Sequence, residues 1–184
     1  MGAPGLDGDI LWILTCGFLV VIMQAGFTCL ESGLVRAKNS INVAIKNLVD
    51  FCISTALYAL FGFALMFGAS QSGLVGGSHF MLAGVDNHDT LSFFFFQAVF
   101  CGTATTIVSG AVAERMRFAG YCLASIVIAG LVYPVVGHWA WGGANGPEYT
   151  GWLGARGFID FAGSTVVHGV GGWVALAALL IIGP

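Results

Sequence analysis

Five long apolar segments alternate with short polar segments along the chain. They run over about residues 10–34, 43–67, 91–113, 118–139 and 158–182. Each is long enough to cross a hydrocarbon layer of about 30 Å, which takes roughly 20 helical residues. None has the strict alternation of a barrel strand, and a helix satisfies its own backbone hydrogen bonds in lipid. The pattern therefore predicts an all-α, polytopic membrane protein with five transmembrane helices.

The basic residues indicate how these helices are oriented. Arg36, Lys38 and Lys46 lie near the first connector, Arg115 and Arg117 lie in the third, and Arg156 alone lies on the opposite side. Basic residues are enriched in cytoplasmic loops. We therefore expect a multi-pass protein of the cell membrane, with the N-terminus outside and the end of the fifth helix in the cytoplasm.

Composition supports a membrane location and gives no support to enzyme chemistry. Hydrophobic residues make up 58% of the chain and charged residues 8%, whereas soluble domains carry roughly 25% charged residues. The five cysteines (Cys16, Cys29, Cys52, Cys101 and Cys122) lack metal-ligand spacing, so we interpret them as small buried hydrophobic residues. With no phosphate loop, metal set or nucleophile–base pair, the sequence predicts no enzyme, cofactor, metal site or nucleic-acid partner.

Asp160 and His168 are the polar residues of the fifth segment that attract most interest. His168 falls near the bilayer midplane, where an ionisable side chain is costly and is a functional candidate. A histidine hydrogen-bonded to a neighbouring helix is the equally plausible structural interpretation. Asp160 lies at the outer end, where its carboxylate either favours a cation at a pore mouth or accepts backbone N–H bonds at the start of the helix.

Aromatic residues cluster at the outer ends of the third and fourth segments. Phe96 and Phe100 are four residues apart and share one helix face, and Trp139 and Trp141 end the fourth segment. Such a face with a tryptophan nearby is suited to a cation–π site for an ammonium-like ion. An interfacial aromatic belt is the alternative, and composition alone favours it.

Three charged residues lie towards the inner ends of the first two segments. They are Glu31, Lys46 and Asp50. Lys46 and Asp50 are four residues apart, which allows them to pair on one helix face. We interpret all three as bundle-interior charges that satisfy one another rather than as transport residues.

Several motifs together resemble the ammonium transporter/methylammonium permease/Rhesus family. They are residues 160–168 (DFAGSTVVH), 23–27 (MQAGF), 31–39 (ESGLVRAKN), 110–118 (GAVAERMRF), 133–134 (YP), 138–139 (HW) and 141–143 (WGG). These motifs follow the family's order across nearly the whole chain. The resemblance implies an inverted-repeat channel of about eleven helices, of which residues 1–184 form the first five-helix half.

The resemblance also implies a function and a set of site residues. Phe96 and Phe100 would line the outer vestibule and aromatic gate, and Trp141 would join them around an external ammonium site. Asp160 would hold that site together, and His168 would be one of two pore histidines. Ammonium or ammonia is the implied substrate, with methylammonium as an analogue. A homotrimer and a cytoplasmic regulator of the PII type are the implied partners.

The sequence also departs from the family pattern, and this leaves alternatives open. In the family, the second pore histidine belongs to the second half of the protein, which residues 1–184 do not contain. We therefore expect either a fragment or a pore that another chain completes. The loop over residues 142–157 is long, and Trp152 competes with Trp141 for the outer site. An ammonium sensor coupled to a signalling module and a non-transporting membrane subunit are the competing functions.

Overall fold

The computed structural model describes residues 8–183, apart from the side chains of residues 145 and 148. It contains five helices of membrane-spanning length: α1 (Gly8–Leu34), α2 (Ala37–Phe67), α3 (His88–Ala111), α4 (Phe118–Ala144) and α5 (Ser164–Ile182). Each is long and apolar enough to cross a membrane, which confirms the predicted number and order of spans. The domain predicted over residues 1–184 extends beyond the described residues at both ends.

Two helices begin about six residues away from the start that the apolar pattern predicts. The helix α2 starts at Ala37 rather than near residue 43, because its polar first turn is already helical. The helix α5 starts at Ser164 rather than near residue 158. Ala162 and Gly163 precede it with φ angles of 55° and 82°, and two left-handed residues end any continuous helix. The segment that carries Asp160 is therefore a turn rather than the first helical turn.

Three of the five spans contain a turn of π-helix. These turns are Tyr58–Gly62 in α2, Ile128–Val132 in α4 and Ser164–Gly169 in α5. The first two contact each other across the bundle. A π turn is uncommon and is frequently found at functional sites. The third is notable here because it contains His168.

The central helix of the bundle is α3, which packs against α1, α2 and α5. Its first phenylalanines point into the core: the ring of Phe93 lies 4.8 Å from that of Phe67, and the ring of Phe94 lies 6.1 Å from that of Tyr58. Gly102 lets α2 approach closely, since a Cβ atom there would lie 2.8 Å from the ring of Phe51. Small residues at such contacts are typical of membrane helix packing.

A buried carboxylate joins four of the five helices. Asp50 of α2 is fully buried, and its Oδ1 accepts hydrogen bonds from Thr106 Oγ1 at 3.0 Å and from Gln24 Nε2 at 3.3 Å. Its Oδ2 accepts a hydrogen bond from the Tyr121 hydroxyl of α4. Gln24 also donates to Thr106. Because all these donors face one group, α1, α3 and α4 are held at a single point on α2.

Lys46 is buried beside this network but does not bond Asp50. Its Nζ donates to the carbonyl oxygen of Met116 at 2.8 Å and lies 5.6 Å from the centre of the Tyr121 ring. The direct pairing of Lys46 with Asp50 is therefore wrong. Tyr121 lies between the two charges, offering its ring face to the cation and its hydroxyl to the carboxylate. Tyr121 thus contacts both Lys46 and Asp50.

Glu114 joins two connectors at one end of the bundle, the α1–α2 connector and the α3–α4 connector. Its carboxylate accepts from Arg36 Nε at 3.0 and 3.1 Å, from the Arg36 backbone at 2.9 Å and from Asn39 Nδ2 at 2.8 Å. These hydrogen bonds to Arg36 and Asn39 lower the pKa of Glu114 from 4.5 to about 2. Glu114 is thus ionised across the physiological range and links the α1–α2 connector to the α3–α4 connector.

The opposite end of the bundle is covered by the α2–α3 connector and the segment before α5. A short hairpin pairs β1 (Ser70–Gln71) with β2 (Val75–Gly76). His138, which is fully buried on α4, donates from Nδ1 to the Met66 carbonyl oxygen at 2.8 Å and accepts at Nε2 from Ser70 Oγ at 2.9 Å. Accepting from the hydroxyl at Nε2 suits a neutral ring whose proton is on Nδ1. The histidine fixes the hairpin over the end of α4.

The interpretation of the cysteines holds for one residue and fails for two. Cys101 is fully buried, whereas Cys29 and Cys52 are exposed on the outside of the bundle and Cys16 and Cys122 are intermediate. An exposed cysteine on a transmembrane helix faces a solvent as apolar as the core. A hydrophobic residue in such a helix therefore need not be buried.

Replacing Tyr121 with phenylalanine tests the Asp50 network. We expect Tyr121→Phe to lower the free energy of unfolding by about 1–3 kcal/mol, because the buried carboxylate loses a donor. Denaturant unfolding in detergent measures the change. Tyr133→Phe is the matched control, since Tyr133 is fully buried and its hydroxyl has no hydrogen-bond partner among the described residues. Equal losses in the two variants would contradict a specific role for the Tyr121 hydroxyl.

The connector contact predicts a defined pH dependence. Because the pKa of Glu114 is lower in the folded protein, its contribution to stability is complete above pH 4.5 and is lost as the pH falls towards about 2. Unfolding midpoints of the wild type and Glu114→Gln should therefore differ at pH 7 and converge as the pH falls from 4.5 towards about 2. Arg36 is 67% exposed, so added salt should reduce the difference at pH 7. A difference that stays constant down to pH 2.5 would refute this assignment.

Candidate functional site

A cavity of about 570 Å³ lies where α3 and α4 meet the turn before α5. Its walls include Gln97 of α3, Trp141 of α4 and Asp160 of the turn. Gly143, Ala144 and Ile159 add small and apolar surface. Cavities of this size that combine apolar surface with polar groups are suited to small ligands. The cavity is thus the first candidate for a functional site.

Asp160 holds the start of α5. Its Oδ1 accepts from the backbone N–H of Thr165 at 3.1 Å, and its Oδ2 accepts from that of Val166 at 2.8 Å. These are groups of the first helical turn, which has no other partner inside the helix. Of the two alternatives for this residue, the backbone contact is the one present in the structure.

Trp141 is joined to the same turn. Its Nε1 donates to the Asp160 carbonyl oxygen at 3.3 Å. Gly163, with φ at 82°, lies against the indole: a Cβ atom there would be 3.3 Å from Trp141 Cη2 and 2.4 Å from Val167 Cγ2. Only a residue without a side chain fits this conformation and this space. The glycine therefore allows the tryptophan, the turn and α5 to come together.

The competing tryptophan lies elsewhere. The ring of Trp152 is 5.8 Å from that of Trp139 and 5.2 Å from the guanidinium of Arg156. Its backbone N–H donates to Gly73 in the hairpin connector. Trp152 is not among the residues that line the cavity, whereas Trp141 is. This geometry favours Trp141.

Phe96 and Phe100 form a pair on α3, as their spacing predicts. Their ring centres are 5.0 Å apart in an edge-to-face arrangement, and both side chains are half-buried. Phe95, by contrast, packs against Phe18 at 5.3 Å. Neither Phe96 nor Phe100 lines the 570 Å³ cavity. The described residues therefore unite Trp141 and Asp160 in one cavity but leave the phenylalanine pair outside it.

His168 lies in the π turn of α5 on an exposed face. The same helix exposes Trp173 at 74%, Leu180 at 77% and Ile181 at 85%, and Phe161 before it is 85% exposed. A strip of this size and apolarity on a membrane helix faces either lipid or another protein segment. Exposing an ionisable side chain such as His168 to lipid costs free energy, which favours another protein segment over lipid at this position.

Sequence reasoning missed Gln97. This residue is only 7% exposed, lines the cavity, and its Oε1 has no hydrogen-bond partner among the described residues. A polar residue that directly follows four phenylalanines was a visible signal. The run of apolar residues identified the segment as a membrane span, and Gln97 was overlooked as a polar residue within that span.

Comparison with known proteins defines the class of this protein. The family model described as Ammonium Transporter Family matches residues 11–184, and the chain belongs to this family. It is 47% identical to the ammonium transporter Amt2 of Archaeoglobus fulgidus over 193 residues, covering 98% of this chain and 40% of that protein. It is 58% identical to a Synechocystis sp. protein provisionally named an ammonium transporter, covering 96% of this chain and 33% of that protein.

A solved structure supports the same assignment. The chain matches a structure described as a sensor Amt protein with a TM-score of 0.92 and 46% identity, covering 96% of this chain and 44% of that one. The predicted family resemblance and the predicted fold class are both confirmed. The chain spans 33–44% of the length of these proteins. It is thus a multi-pass membrane segment that corresponds to part of the family's fold.

Substitution of Gly163 tests the close packing at the cavity. We expect Gly163→Ala to lower the free energy of unfolding by about 1–3 kcal/mol, because a left-handed alanine is strained and displaces Val167 or Trp141. Gly172→Ala is the matched control: a Cβ atom at this helical glycine meets nothing within 4 Å, so alanine should be neutral or stabilising by up to about 1 kcal/mol. Unfolding in detergent measures both, and similar effects would contradict the packing argument.

Proposed function

We propose that residues 1–184 form the first half of an ammonium-conducting membrane domain, with a substrate site at the outer cavity and His168 in the pore. The main observation that supports this proposal is that Trp141 and Asp160 line one cavity, directly before the helix that contains His168. Family membership supports the substrate class. No enzyme chemistry forms part of this proposal.

The outer site compensates the cost of removing water from a cation. Ammonium loses several kcal/mol of hydration on entering an apolar passage unless other groups replace the water. The face of Trp141 supplies a cation–π contact, and the Asp160 charge lowers the energy of a cation nearby. Phe96 and Phe100 are proposed to complete the vestibule and gate from their own face of α3.

His168 is proposed to act after the outer site. A neutral imidazole has one donor and one acceptor nitrogen, so it is able to accept the ammonium proton while neutral ammonia continues through the apolar passage. The exposed face of α5 around His168 is the proposed contact surface for the second half, which would supply the second histidine. The high exposure of Phe161 and Trp173 supports this, since large aromatic side chains favour a protein partner.

Orientation and assembly belong to the same proposal. We place the N-terminus outside and the connectors with Arg36 and Arg115 in the cytoplasm, because these basic connectors lie together at one end of the bundle. A homotrimer and a cytoplasmic PII-type regulator are the proposed partners of the whole protein. Methylammonium is the proposed substrate analogue.

An ammonium sensor is the second candidate function. The sensor Amt protein matches this chain with a TM-score of 0.92, so the same five-helix arrangement serves a protein named as a sensor. In a sensor, the outer site would bind ammonium, and the conformational response rather than ion movement would be the output. Binding without uptake separates the two functions.

Uptake of methylammonium by cells that lack their own ammonium transporters tests the proposal. We expect the intact protein to support uptake and His168→Ala to reduce it by at least about tenfold or to change its ion preference, because loss of an acid–base group is typically severe. Trp141→Leu should weaken the apparent affinity. His88→Ala, which alters an exposed histidine at the start of α3, is the matched control and should leave uptake unchanged.

The outcomes separate the two candidate functions. Uptake that is lost in His168→Ala and kept in His88→Ala supports a pore that contains His168. Absence of uptake by well-inserted intact protein, together with stabilisation by ammonium in a thermal assay, favours the sensor. Absence of both contradicts an ammonium site of either kind.

A further inference from the structure

A second, smaller cavity lies at the opposite end of the bundle from the candidate site. It has a volume of about 310 Å³ and opens between the α1–α2 connector, α2 and the start of α4. Basic and amide side chains dominate its wall: Lys38, Lys46, Arg117, Asn39 and Asn42. Glu114 is the one acidic residue that lines it. None of these residues takes part in the function proposed above.

The charges of this cavity are unequally compensated. The Glu114 carboxylate is occupied by Arg36 and Asn39 at 2.8–3.1 Å. Lys38 and Arg117 are exposed and form no ion pair among the described residues. Lys46 is only 1% exposed and uses Nζ to bond the Met116 carbonyl oxygen, which leaves two of its three N–H groups for another acceptor. The wall thus carries a net positive charge.

The backbone fixes these side chains in place. Glu114 has a φ angle of 64°, so the α3–α4 connector turns sharply, and its contacts with Arg36 and Asn39 hold that turn against the neighbouring connector. Lys46 holds the next residues through Met116. Arg117 directly precedes α4, and its side chain does not cap the helix. The arrangement is therefore built from three segments rather than from one flexible basic run.

We propose that this cavity binds a phosphate group, supplied by the headgroup of an anionic membrane lipid. Basic side chains with free N–H groups form charge-assisted hydrogen bonds with phosphate oxygens. The cavity lies where the membrane-spanning parts of α1 to α4 end, which is the level of the lipid headgroups. Basic pockets between helices on the cytoplasmic side are known to accept such headgroups. A soluble phosphate has the same chemistry and is the alternative source.

A general attraction between basic loops and an acidic membrane is the simpler explanation, and Arg115 separates the two. Arg115 lies two residues before Arg117 in the same connector and is also exposed, but it does not line the cavity. Arg115→Gln and Arg117→Gln therefore remove the same charge from nearly the same place. Only a defined site makes their effects different.

The test is native mass spectrometry of the intact protein in detergent, titrated with phosphatidylglycerol and, separately, with phosphatidylcholine. We expect Arg117→Gln to weaken the first phosphatidylglycerol binding step by about fivefold, as one basic residue near a headgroup contributes about 1 kcal/mol. Lys38→Gln should act similarly, and Arg115→Gln should change binding by less than about twofold. Phosphatidylcholine should show no dependence on any of the three residues.

Several outcomes decide the proposal. Equal weakening by Arg115→Gln and Arg117→Gln, or no effect of either, overturns it. If Arg117→Gln fails to fold, Lys38→Gln against Arg115→Gln makes the same comparison. A thermal shift with inorganic phosphate tests the source. Stabilisation by inorganic phosphate that depends on Arg117, without preferential binding of phosphatidylglycerol, keeps the phosphate site but overturns the lipid as its occupant.

Discussion

The arrangement of the bundle depends on the hydrogen bonds that three helices donate to the Asp50 carboxylate. A membrane offers no hydrophobic force to drive helices together, so packing and interhelical hydrogen bonds must do so. Asp50 brings a polar carboxyl group into this environment, and Gln24, Thr106 and Tyr121 supply its hydrogen bonds there. The penalty for leaving this group unsatisfied fixes the positions of α1, α3 and α4 relative to α2.

A second carboxylate applies the same principle at the end of the bundle that carries the candidate site. Asp160 bonds the first backbone N–H groups of α5 and, through its own carbonyl oxygen, Trp141 of α4. The position of Trp141 and the direction of α5 are therefore set by one turn. Asp50 fixes α3 and α4, and Asp160 fixes α5 relative to α4. Together they place the residues of the candidate site, although neither is required to contact a substrate.

The sequence predicts what depends on composition and misses what depends on contacts between helices. The five spans follow from apolar length, and the Phe96–Phe100 pair follows from spacing of four residues. The Lys46–Asp50 pair satisfied the same spacing rule but does not form, because Met116 and Tyr121 come from distant positions. The π turn over Ser164–Gly169, which contains His168, was not predicted from the sequence either.

These contacts also explain why the two ends of the bundle differ. At the end that carries the candidate site, the Asp160 carboxylate accepts from backbone N–H groups, and Trp141 and Gln97 line the cavity beside it. At the other end, Glu114 forms an ion pair with Arg36, and the remaining basic groups face an open cavity. In both places the acidic residue organises the backbone, and the groups around it determine which charge is attracted. The side chains that make no structural contact therefore determine whether each cavity attracts a positively or a negatively charged ligand.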